Sequence, residues 1–322
     1  MLSLKSAKLY TIAWIATLPL ERQAAMALLD EEHSAPEDIE QQLDQAEDYA
    51  WGRVGKHNIV IASLSGGLYG PQAAPETVGN LIRLLPHIQI GLVVGVGGGI
   101  ARPDEGQDIR LGDVIVSQPD GTSKGLVQCD LNKMGSKSTY EQMTTPKDPP
   151  LVLLQAVSKL REKHDQTPSK IPDLLRGMMR GDPRGSSAQC SFVHPGSASD
   201  RLFKSQHDHI GHAGNCDHCH PSLEVSRGQR RSMNPTIHYG LIASVNKVIK
   251  DAAVRDVILE DTGYRCLCVE MEAAGIMSQL PCLVVRGVSD YADSHKNDLW
   301  QPYAAATAAA FVVELLEHVQ AM

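Results

Sequence analysis

The chain has 322 residues, of which 42% are hydrophobic, and a formal net charge of -8. That length allows one large α/β domain or two ordinary ones and is enough to bury a sizeable core. The acidic balance argues against nucleic-acid binding, which needs a basic face, and no apolar run approaches the length of a membrane span. We therefore expect neither a nucleic-acid partner nor a membrane partner.

The seven cysteines bear on the cellular compartment. Cys268 and Cys282 lie in apolar runs, which is typical of buried free thiols rather than disulfides. The N-terminal stretch contains lysines but no small-residue cleavage pattern, so no signal peptide is expected. These features predict a reducing, cytoplasmic location.

The chain begins with an apolar strand and a helix. Residues 10–16 are predicted to form the first core strand, and a helix is predicted from Pro19 to about Leu29. Proline at the helix start and Glu21 in the first turn, where the helix dipole favours a carboxylate, support this prediction. The acidic stretch 31–49 is expected to be a surface loop.

The next apolar run leads into a Gly-rich turn. The strand predicted at residues 59–64 is followed by Ser65, Gly66 and Gly67, and then by a helix to about Leu85. A Gly-rich turn that opens a helix presents free backbone N–H groups. This turn is therefore a candidate site for an anion or a polar ligand.

A third strand, predicted at residues 90–96, ends in a glycine run that includes Gly97 and Gly98. The run partly matches a dinucleotide-binding fingerprint, but Ile100 stands where that motif has its last glycine. Another strand, 109–117, follows instead of a helix. The glycines are better explained by close approach of the backbone to a ligand or by a tight strand exit. The two consecutive strands also predict a mixed sheet.

The segment 119–234 differs in composition, because proline, glycine, serine and histidine are frequent there. One amphipathic helix is predicted from Pro150 to about Lys163, and the rest is predicted to be an irregular insertion. Regular elements resume at Ile237, with a helix predicted over 245–260, two further strands and a final Ala-rich helix. The alternation predicts an α/β fold with three layers, α/β/α, around a central mixed sheet.

Two stretches near the C-terminus place acidic residues at the ends of apolar strands. Glu270 and Glu272 follow one strand, and Asp290 follows the next. Ligands bind at that edge in open α/β sheets, where carboxylates suit acid–base chemistry. Helix capping or turn formation is the simpler role for each carboxylate alone. Arg286 lies within the second strand and needs a carboxylate partner, for which Glu270 and Asp290 are the candidates.

A cluster of histidines and cysteines lies in the insertion. The pair Cys216 and Cys219 has metal-ligand spacing, and His209 or His212 would complete a structural zinc site. A His-rich surface loop without metal is the alternative. No metal is expected to be required for catalysis, because these residues lie outside the strand ends.

Together these segments resemble the nucleoside phosphorylase/nucleosidase superfamily, most closely its fungal members. The matching segments cover almost the whole chain and are residues 13–21, 93–99, 109–117 and 238–244, the stretch VEMEAAG and the stretch GVSDYADSHKN. The resemblance implies one domain over 1–322 with an insertion at 119–234, a homodimer or larger homo-oligomer, and no required cofactor. It implies cleavage of the N-glycosidic bond of a purine nucleoside, such as adenosine, or of a nucleotide.

The resemblance also implies roles for single residues. Asp290 matches the acid that protonates the leaving purine, and Ser289 would position it. Glu272 matches the carboxylate that grips the ribose hydroxyls, and Met271 would pack under the sugar. Glu21 matches the glutamate that orients water in hydrolytic members. The Gly-rich turn would hold that water or, in phosphorolytic members, a phosphate.

Hydrolysis is favoured over phosphorolysis, because the Glu21 carboxylate would repel a bound phosphate. A phosphate-dependent phosphorylase and a non-catalytic purine-sensing effector module are the alternatives. The segment matching the purine-stacking position carries no aromatic residue, so the base is expected to contact aliphatic groups such as Ala243, or Phe192 of the insertion. A nucleotide substrate would need cations, and a basic run that otherwise reads as a solvated loop offers Arg227, Arg230 and Arg231.

Overall fold

The computed structural model describes residues 2–39, 49–63, 73–131, 146–180, 192–211 and 215–320. The predicted ligand turn at Ser65, Gly66 and Gly67 lies outside these ranges, as does the metal candidate His212. Among the described residues, every helix is too short or too polar to cross a lipid bilayer.

Strands and helices alternate through most of the described chain. In chain order they are β1 (Leu2–Ser3), β2 (Ile12–Ala16), α1 (Pro19–Met26), β3 (Glu31–Ser34), β4 (Tyr49–Val54), β5 (His57–Ser63), α2 (Ala73–Leu84), β6 (Ile90–Gly99), β7 (Val114–Ser117), β8 (Leu126–Cys129), α3 (Leu151–His164), α4 (Ile171–Arg180), β9 (Ile237–Val245), α5 (Ala252–Asp261), β10 (Cys266–Glu270), α6 (Ala273–Met277), β11 (Cys282–Asp290) and α7 (Gln301–Leu316).

The strands form one sheet in the order β1-β3-β4-β5-β2-β6-β10-β9-β7-β11, with β8 paired to β9. Strand β11 also pairs with β6, so β6, β10, β9, β7 and β11 close into a ring. The β6–β11 pair is parallel and the β6–β10 pair is antiparallel. The predicted mixed sheet is therefore confirmed.

Helices cover both faces of this sheet. Helices α1, α3, α4 and α7 enclose one apolar core, and α2 and α6 enclose a second core on the other face. The Ala-rich α7 lies very close to the sheet, because a Cβ at Gly287 of β11 would lie only 1.8 Å from the Ala304 carbonyl oxygen. The predicted three-layer α/β/α architecture is confirmed.

Three local predictions were wrong. The acidic stretch after Asp30 forms strand β3, which pairs with β4 through backbone hydrogen bonds and turns only His33 inward. The segment predicted as irregular contains β8 and α4 besides the predicted α3. The helix predicted from Val245 begins only at Ala252, because β9 continues to Val245 and the Asp251 side chain caps the helix.

Candidate active site

The sheet brings the two acidic stretches together at one glycine. Gly98 of β6 lies opposite Val269 of β10 on one side and opposite Asp290 of β11 on the other. Because neighbouring strands lie about 4.8 Å apart, the residues after Val269 and the end of β11 face the same short stretch of β6. The register therefore places Glu270 and Asp290 on either side of the glycine run.

A buried arginine lies at the centre of the acidic residues. Arg286 is 0% exposed, and its Nη2 donates to Oε2 of Glu270. The same Nη2 lies 3.6 Å from Oε2 of Glu272, and Nη1 lies 4.0 Å from Oε1 of Glu21. Of the two candidate partners, Glu270 forms the direct ion pair. One guanidinium thus faces three carboxyl groups, which leaves an excess of acidic groups in a buried site.

Glu270 joins this arginine to the start of helix α6. Its Oε2 also accepts hydrogen bonds from the backbone N–H groups of Glu272, at 3.1 Å, and Ala273, at 2.9 Å. The first N–H groups of a helix lack intrahelical partners, so a carboxylate there is favourable. Oε1 of Glu270 and Nε of Arg286 are buried and have no hydrogen-bond partner among the described residues.

Glu272 occupies the position before the first residue of α6, and its side chain is 13% exposed. Burial raises its pKa to about 7, and the nearby Glu270 and Glu21 carboxylates add to this effect, while Arg286 opposes it. A carboxyl group with a pKa near neutrality changes its proton occupancy easily, as acid–base chemistry and binding of hydroxyl groups require.

Glu21 is 3% exposed and is held on both oxygens. Its Oε2 accepts from the backbone N–H groups of Thr17 and Leu18, both at 2.8 Å, and from the Thr17 hydroxyl at 2.9 Å. Its Oε1 accepts from the Val96 N–H at 2.8 Å. Glu21 therefore caps α1 and also connects that helix to β6 beside the arginine. A carboxylate oxygen has two lone pairs, so Oε1 retains the capacity for one further donor.

The glycine run allows these contacts. A Cβ at Gly95 would lie 2.2 Å from Oε1 of Glu21, and one at Gly98 would lie 2.8 Å from Oδ1 of Asp290. A Cβ at Gly97 would lie 2.6 Å from the Cys268 sulfur. Gly95 to Gly98 lie within strand β6, and a short 3-10 helix rather than an α-helix follows. The run lies within a strand and is not a dinucleotide-binding turn; its glycines leave room for side chains of the protein, and their approach to a ligand stays a prediction.

Asp290 is 5% exposed and is held by three donors. The Ser289 hydroxyl donates to Oδ2 at 2.9 Å, the Ala292 N–H donates to Oδ1 at 2.9 Å, and Nζ of Lys296 donates to Oδ2. Sequence reasoning missed Lys296. Ala292 has a positive φ of 53°, which turns the chain after the strand and returns Lys296 to the aspartate. No local sequence signal specifies that return.

The residues expected to contact the base divide between two clusters. Ala243 is fully buried in an apolar cluster that also contains Val269 and Ala292, and Met271 packs against it. Phe192 packs instead against the core formed with α7. Phe192 therefore does not lie in the aliphatic cluster that contains Ala243, and its contact with the base stays a prediction.

The basic run before β9 is largely engaged with acids. Nη2 of Arg227 lies 3.1 Å from Oδ1 of Asp200, and its Nη1 donates to the Tyr291 hydroxyl at 2.7 Å. Arg230 makes a two-pronged ion pair with both carboxylate oxygens of Asp113. Two of the three arginines expected to contact a phosphate thus bind carboxylates of the protein, because the insertion folds back onto the core. The third arginine, Arg231, is exposed and lines a surface cleft together with Arg227 and Arg230.

The metal candidates from the insertion are brought together. His209, Cys216 and Cys219 each offer one ligand atom, and these three atoms lie within 4.8 Å of one another. A second group of the same size contains Cys219, His207 and His295. His207 belongs to the same His-rich stretch of the insertion, whereas sequence reasoning missed His295, because it lies 76 positions beyond Cys219 in sequence and reaches it only through tertiary packing.

Solved structures share this architecture. The 5'-methylthioadenosine/S-adenosylhomocysteine nucleosidase of Neisseria meningitidis superposes with a TM-score of 0.58 at 16% identity, over 96% of this chain and 99% of that chain. Futalosine hydrolase of Helicobacter pylori gives the same TM-score and identity, over 97% and 99%. The chain has the nucleoside phosphorylase/nucleosidase fold. The resemblance inferred from the sequence is confirmed at the level of the fold.

Two relatives extend this nucleosidase-fold comparison in sequence. A nucleotide-binding leucine-rich repeat (NLR)-like protein of Hyaloscypha variabilis is 38% identical over 307 residues, which cover 95% of this chain and 29% of that protein. ATP nucleosidase Cap17 of Escherichia coli is 34% identical over 82 residues, covering 24% of this chain and 16% of that protein. The chain thus spans less than a third of the curated relatives it matches. No protein-family model matches it.

Proposed function

We propose that this chain hydrolyses the N-glycosidic bond of purine nucleosides or nucleotides and releases the free base and ribose or phosphoribose. The fold supports a nucleosidase, and the similarity to an ATP nucleosidase over 82 residues supports a purine nucleotide as one substrate class. The observation that carries the proposal is the charge of the site. Three carboxyl groups, those of Glu21, Glu270 and Glu272, face the single buried guanidinium of Arg286.

This excess of acidic groups matches the charge that develops when the bond breaks. As the bond from C1′ to N9 lengthens, the sugar becomes a cation of oxocarbenium character. A carboxylate near that carbon stabilises the cation, and the effect is larger in a buried site than in water. We assign binding of the ribose 2′- and 3′-hydroxyls to Glu272, because its side chain, at 13% exposed, is the most accessible of the three carboxyl groups.

Asp290 supplies the second requirement, which is neutralisation of the leaving base. A purine leaves as an anion unless N7 is protonated, so a proton delivered by Asp290 lowers the barrier. The ammonium group of Lys296, which donates to Oδ2 of Asp290, is the source that supplies this proton to the carboxylate. The Ser289 hydroxyl, the Ala292 N–H and Lys296 fix the direction of that carboxyl group. A water molecule then attacks C1′, the Glu21 carboxylate accepts one of its protons, and ribose and purine are released.

Water, rather than phosphate, is the attacking group in this proposal. Glu21 lies beside Arg286 with one oxygen able to accept a further donor, which suits a water molecule. A phosphate at the same place would be repelled by the carboxylates around it. Arg286 does not compensate this repulsion, because it is already paired with Glu270.

Product analysis tests the proposal directly. The protein is incubated with adenosine, inosine, guanosine, AMP and ATP, in phosphate-free buffer and with added phosphate, and base and sugar products are identified by mass spectrometry. We expect free base with ribose or phosphoribose at a rate independent of phosphate. Formation of ribose 1-phosphate only when phosphate is added would establish phosphorolysis instead. The Asp290→Asn variant controls for contaminating nucleosidases.

A second candidate is a purine-sensing domain without turnover. It is favoured by the relative in which the matched region makes up only 29% of a protein described as NLR-like. Tight nucleoside or nucleotide binding, measured by calorimetry, with no product after prolonged incubation would support this function. In that case Asp290→Asn would change neither binding nor product.

A further inference from the structure

The five clustered histidine and cysteine side chains come from two distant parts of the chain. His207, His209, Cys216 and Cys219 belong to the insertion, whereas His295 belongs to the loop that follows Asp290 in β11. Cys219 takes part in both groups of donor atoms, each contained within 4.8 Å. The cluster therefore joins the insertion to the loop beside the candidate active site.

Two of these side chains are buried with unused nitrogen atoms. His295 is 8% exposed, and neither of its ring nitrogens has a hydrogen-bond partner among the described residues. Nε2 of His207, a residue 9% exposed, is also without one. Leaving such polar atoms unsatisfied in the interior is costly. Nε2 of His209, by contrast, is hydrogen-bonded to the carbonyl oxygen of Asn215 at 2.9 Å.

We propose that Cys216, Cys219, His207 and His295 bind a divalent zinc-type cation. Two thiolates and two imidazoles form a donor set that selects tetrahedral Zn²⁺. Metal–ligand bonds of about 2.0–2.3 Å place tetrahedral ligand atoms about 3.3–3.8 Å apart. Within each of the two groups the 4.8 Å limit requires a contraction of about 1 Å, which side-chain rotation can supply. Cys216 shares a group with Cys219 but not with His207 and His295, so its side chain must turn further towards them. His209 is the alternative to His207 as the fourth ligand, because the hydrogen bond of its Nε2 leaves its Nδ1 available beside Cys216 and Cys219.

The surroundings of the donors favour this cation site. The Cys219 N–H donates to the Cys216 carbonyl oxygen at 3.1 Å, which forms the tight turn that a Cys-x-x-Cys pair needs to direct both sulfurs to one point. Nδ1 of His295 faces Oδ1 of Asp293 at 3.5 Å without a hydrogen bond, and a small rotation of the ring would form the carboxylate contact that orients a metal-binding imidazole through its other nitrogen. The Phe203 ring stacks on His295 with a centroid distance of 4.1 Å and shields that side of the site from water.

The cation would fix the insertion against the catalytic loop. His295 directly precedes Lys296, which donates to Asp290. In the same region Arg227 of the insertion donates to the hydroxyl of Tyr291, the residue after Asp290. A cation at the cluster thus adds metal–ligand bonds to the contact between the insertion and the loop after β11, which already contains hydrogen bonds and the stacking of an aromatic ring on His295. Its role is structural, because none of its ligands is a residue assigned to the reaction.

Metal analysis of the intact protein tests the site. The protein is purified without chelators, its zinc content is measured by inductively coupled plasma mass spectrometry, and the cation is exchanged for Co²⁺. We expect about one zinc per chain, together with the thiolate-to-cobalt charge-transfer and intense d–d absorption of a tetrahedral site. Chelation should expose two additional thiols to a colorimetric thiol reagent and should lower Tm.

Variants assign the ligands. Cys216→Ser and His295→Asn should each lower the zinc content to less than about a tenth, whereas His218→Asn, an exposed neighbour outside both donor groups, should retain it. His207→Asn and His209→Asn decide the fourth ligand. Asp290→Asn should abolish turnover and keep the zinc. Zinc content therefore tests the cation site, and turnover tests the proposed hydrolysis independently of it.

The site is rejected if wild-type protein from zinc-supplemented cells contains no zinc and Co²⁺ produces no charge-transfer absorption. These two measurements use the unaltered chain. They therefore decide the proposal even where Cys216→Ser does not fold.

Discussion

Arg286 and Glu270 form a fully buried ion pair across strand β6, although the strands that carry them, β11 and β10, lie on opposite sides of it. Both side chains are 5% exposed or less. The pair can form across an intervening strand because β6 contributes glycine at Gly95 and Gly97, where a side chain would occupy the same space. The stability of the fold and the charge of the candidate site therefore depend on the same two residues.

Removing the arginine should destabilise the fold strongly. Arg286→Met leaves Glu270 buried without its partner and exposes Glu21 and Glu272 to each other's charge, so we expect a loss of about 3–5 kcal/mol in the free energy of unfolding. Urea denaturation followed by circular dichroism measures it. The double variant Arg286→Met/Glu270→Gln should recover part of the loss. Equal destabilisation in the single and double variants would show that the pair is not the coupled unit described here.

A single methyl group should disrupt the carboxylate arrangement. In Gly95→Ala the new Cβ would lie 2.2 Å from Oε1 of Glu21 and 2.5 Å from Nη1 of Arg286, so both groups must move. We expect about 1–3 kcal/mol of lost stability and at least a tenfold fall in kcat. The matched control is Gly177→Ala on α4, where nothing lies within 4 Å and helix propensity predicts unchanged or slightly higher stability. Similar effects at both positions would contradict the argument.

The proposed acid should be indispensable to turnover and dispensable to folding. Asp290→Asn keeps the shape of the side chain but removes the transferable proton, so kcat should fall by about 10²–10⁴-fold. Asp298→Asn changes an exposed acid in the same loop and should leave kcat within a factor of two. Rates are measured as purine release, and Tm is measured for each variant. Near-normal turnover by Asp290→Asn would remove Asp290 from the mechanism.

Lys296 is expected to act by positioning the acid. Its ammonium group donates to the same carboxylate oxygen as Ser289, so Lys296→Gln should lower kcat by about 10–100-fold. KM should change little, because Lys296 is proposed to contact the acid rather than the substrate. Lys250→Gln, an exposed lysine elsewhere, is the control. A large rise in KM at unchanged kcat would instead assign Lys296 to substrate binding.

The pH dependence should report on Glu272. Burial raises the pKa of Glu272 from 4.5 to about 7, so the ionised form that binds the ribose hydroxyls is depleted below that pH. We expect kcat/KM to fall as the pH drops through about 7. The corresponding fall in kcat should occur at lower pH, because a developing positive charge on the sugar favours the ionised carboxylate.

The same shift has a defined consequence for stability. A carboxyl group whose pKa is raised on folding contributes stability that is fully present below its unfolded pKa of 4.5 and is lost as the pH rises through about 7. Glu272→Gln should remove this dependence, so the difference in unfolding free energy between wild type and variant should vary between pH 4.5 and 7. A difference that is constant across this range would rule out the raised pKa.

Much of the fold follows from the apolar pattern. The apolar runs around Ile12, Ile59, Ile90 and Val284 predict strands that are buried on both faces. The structure confirms these strands and places them next to one another in the sheet. Helix α4 was missed although Ile171, Leu175 and Met178 repeat at helical spacing and face the core, because the glycine- and proline-rich composition around it masks the signal. Strand β3 was missed since its pairing depends on backbone hydrogen bonds, which leave little trace in side-chain pattern.

The sequence by itself determined most of the core strands and helices, the acidic residues at the strand ends and the resemblance that names Asp290, Glu272 and Glu21. Each is a local property of the chain. Only the tertiary structure decided which carboxylate pairs with Arg286, that Lys296 holds Asp290, and that His295 meets Cys219 of the insertion. Strand register, the reversal of the loop after β11 and the folding of the insertion bring the members of these pairs together in space. The positions of the residues along the chain do not specify any of these three.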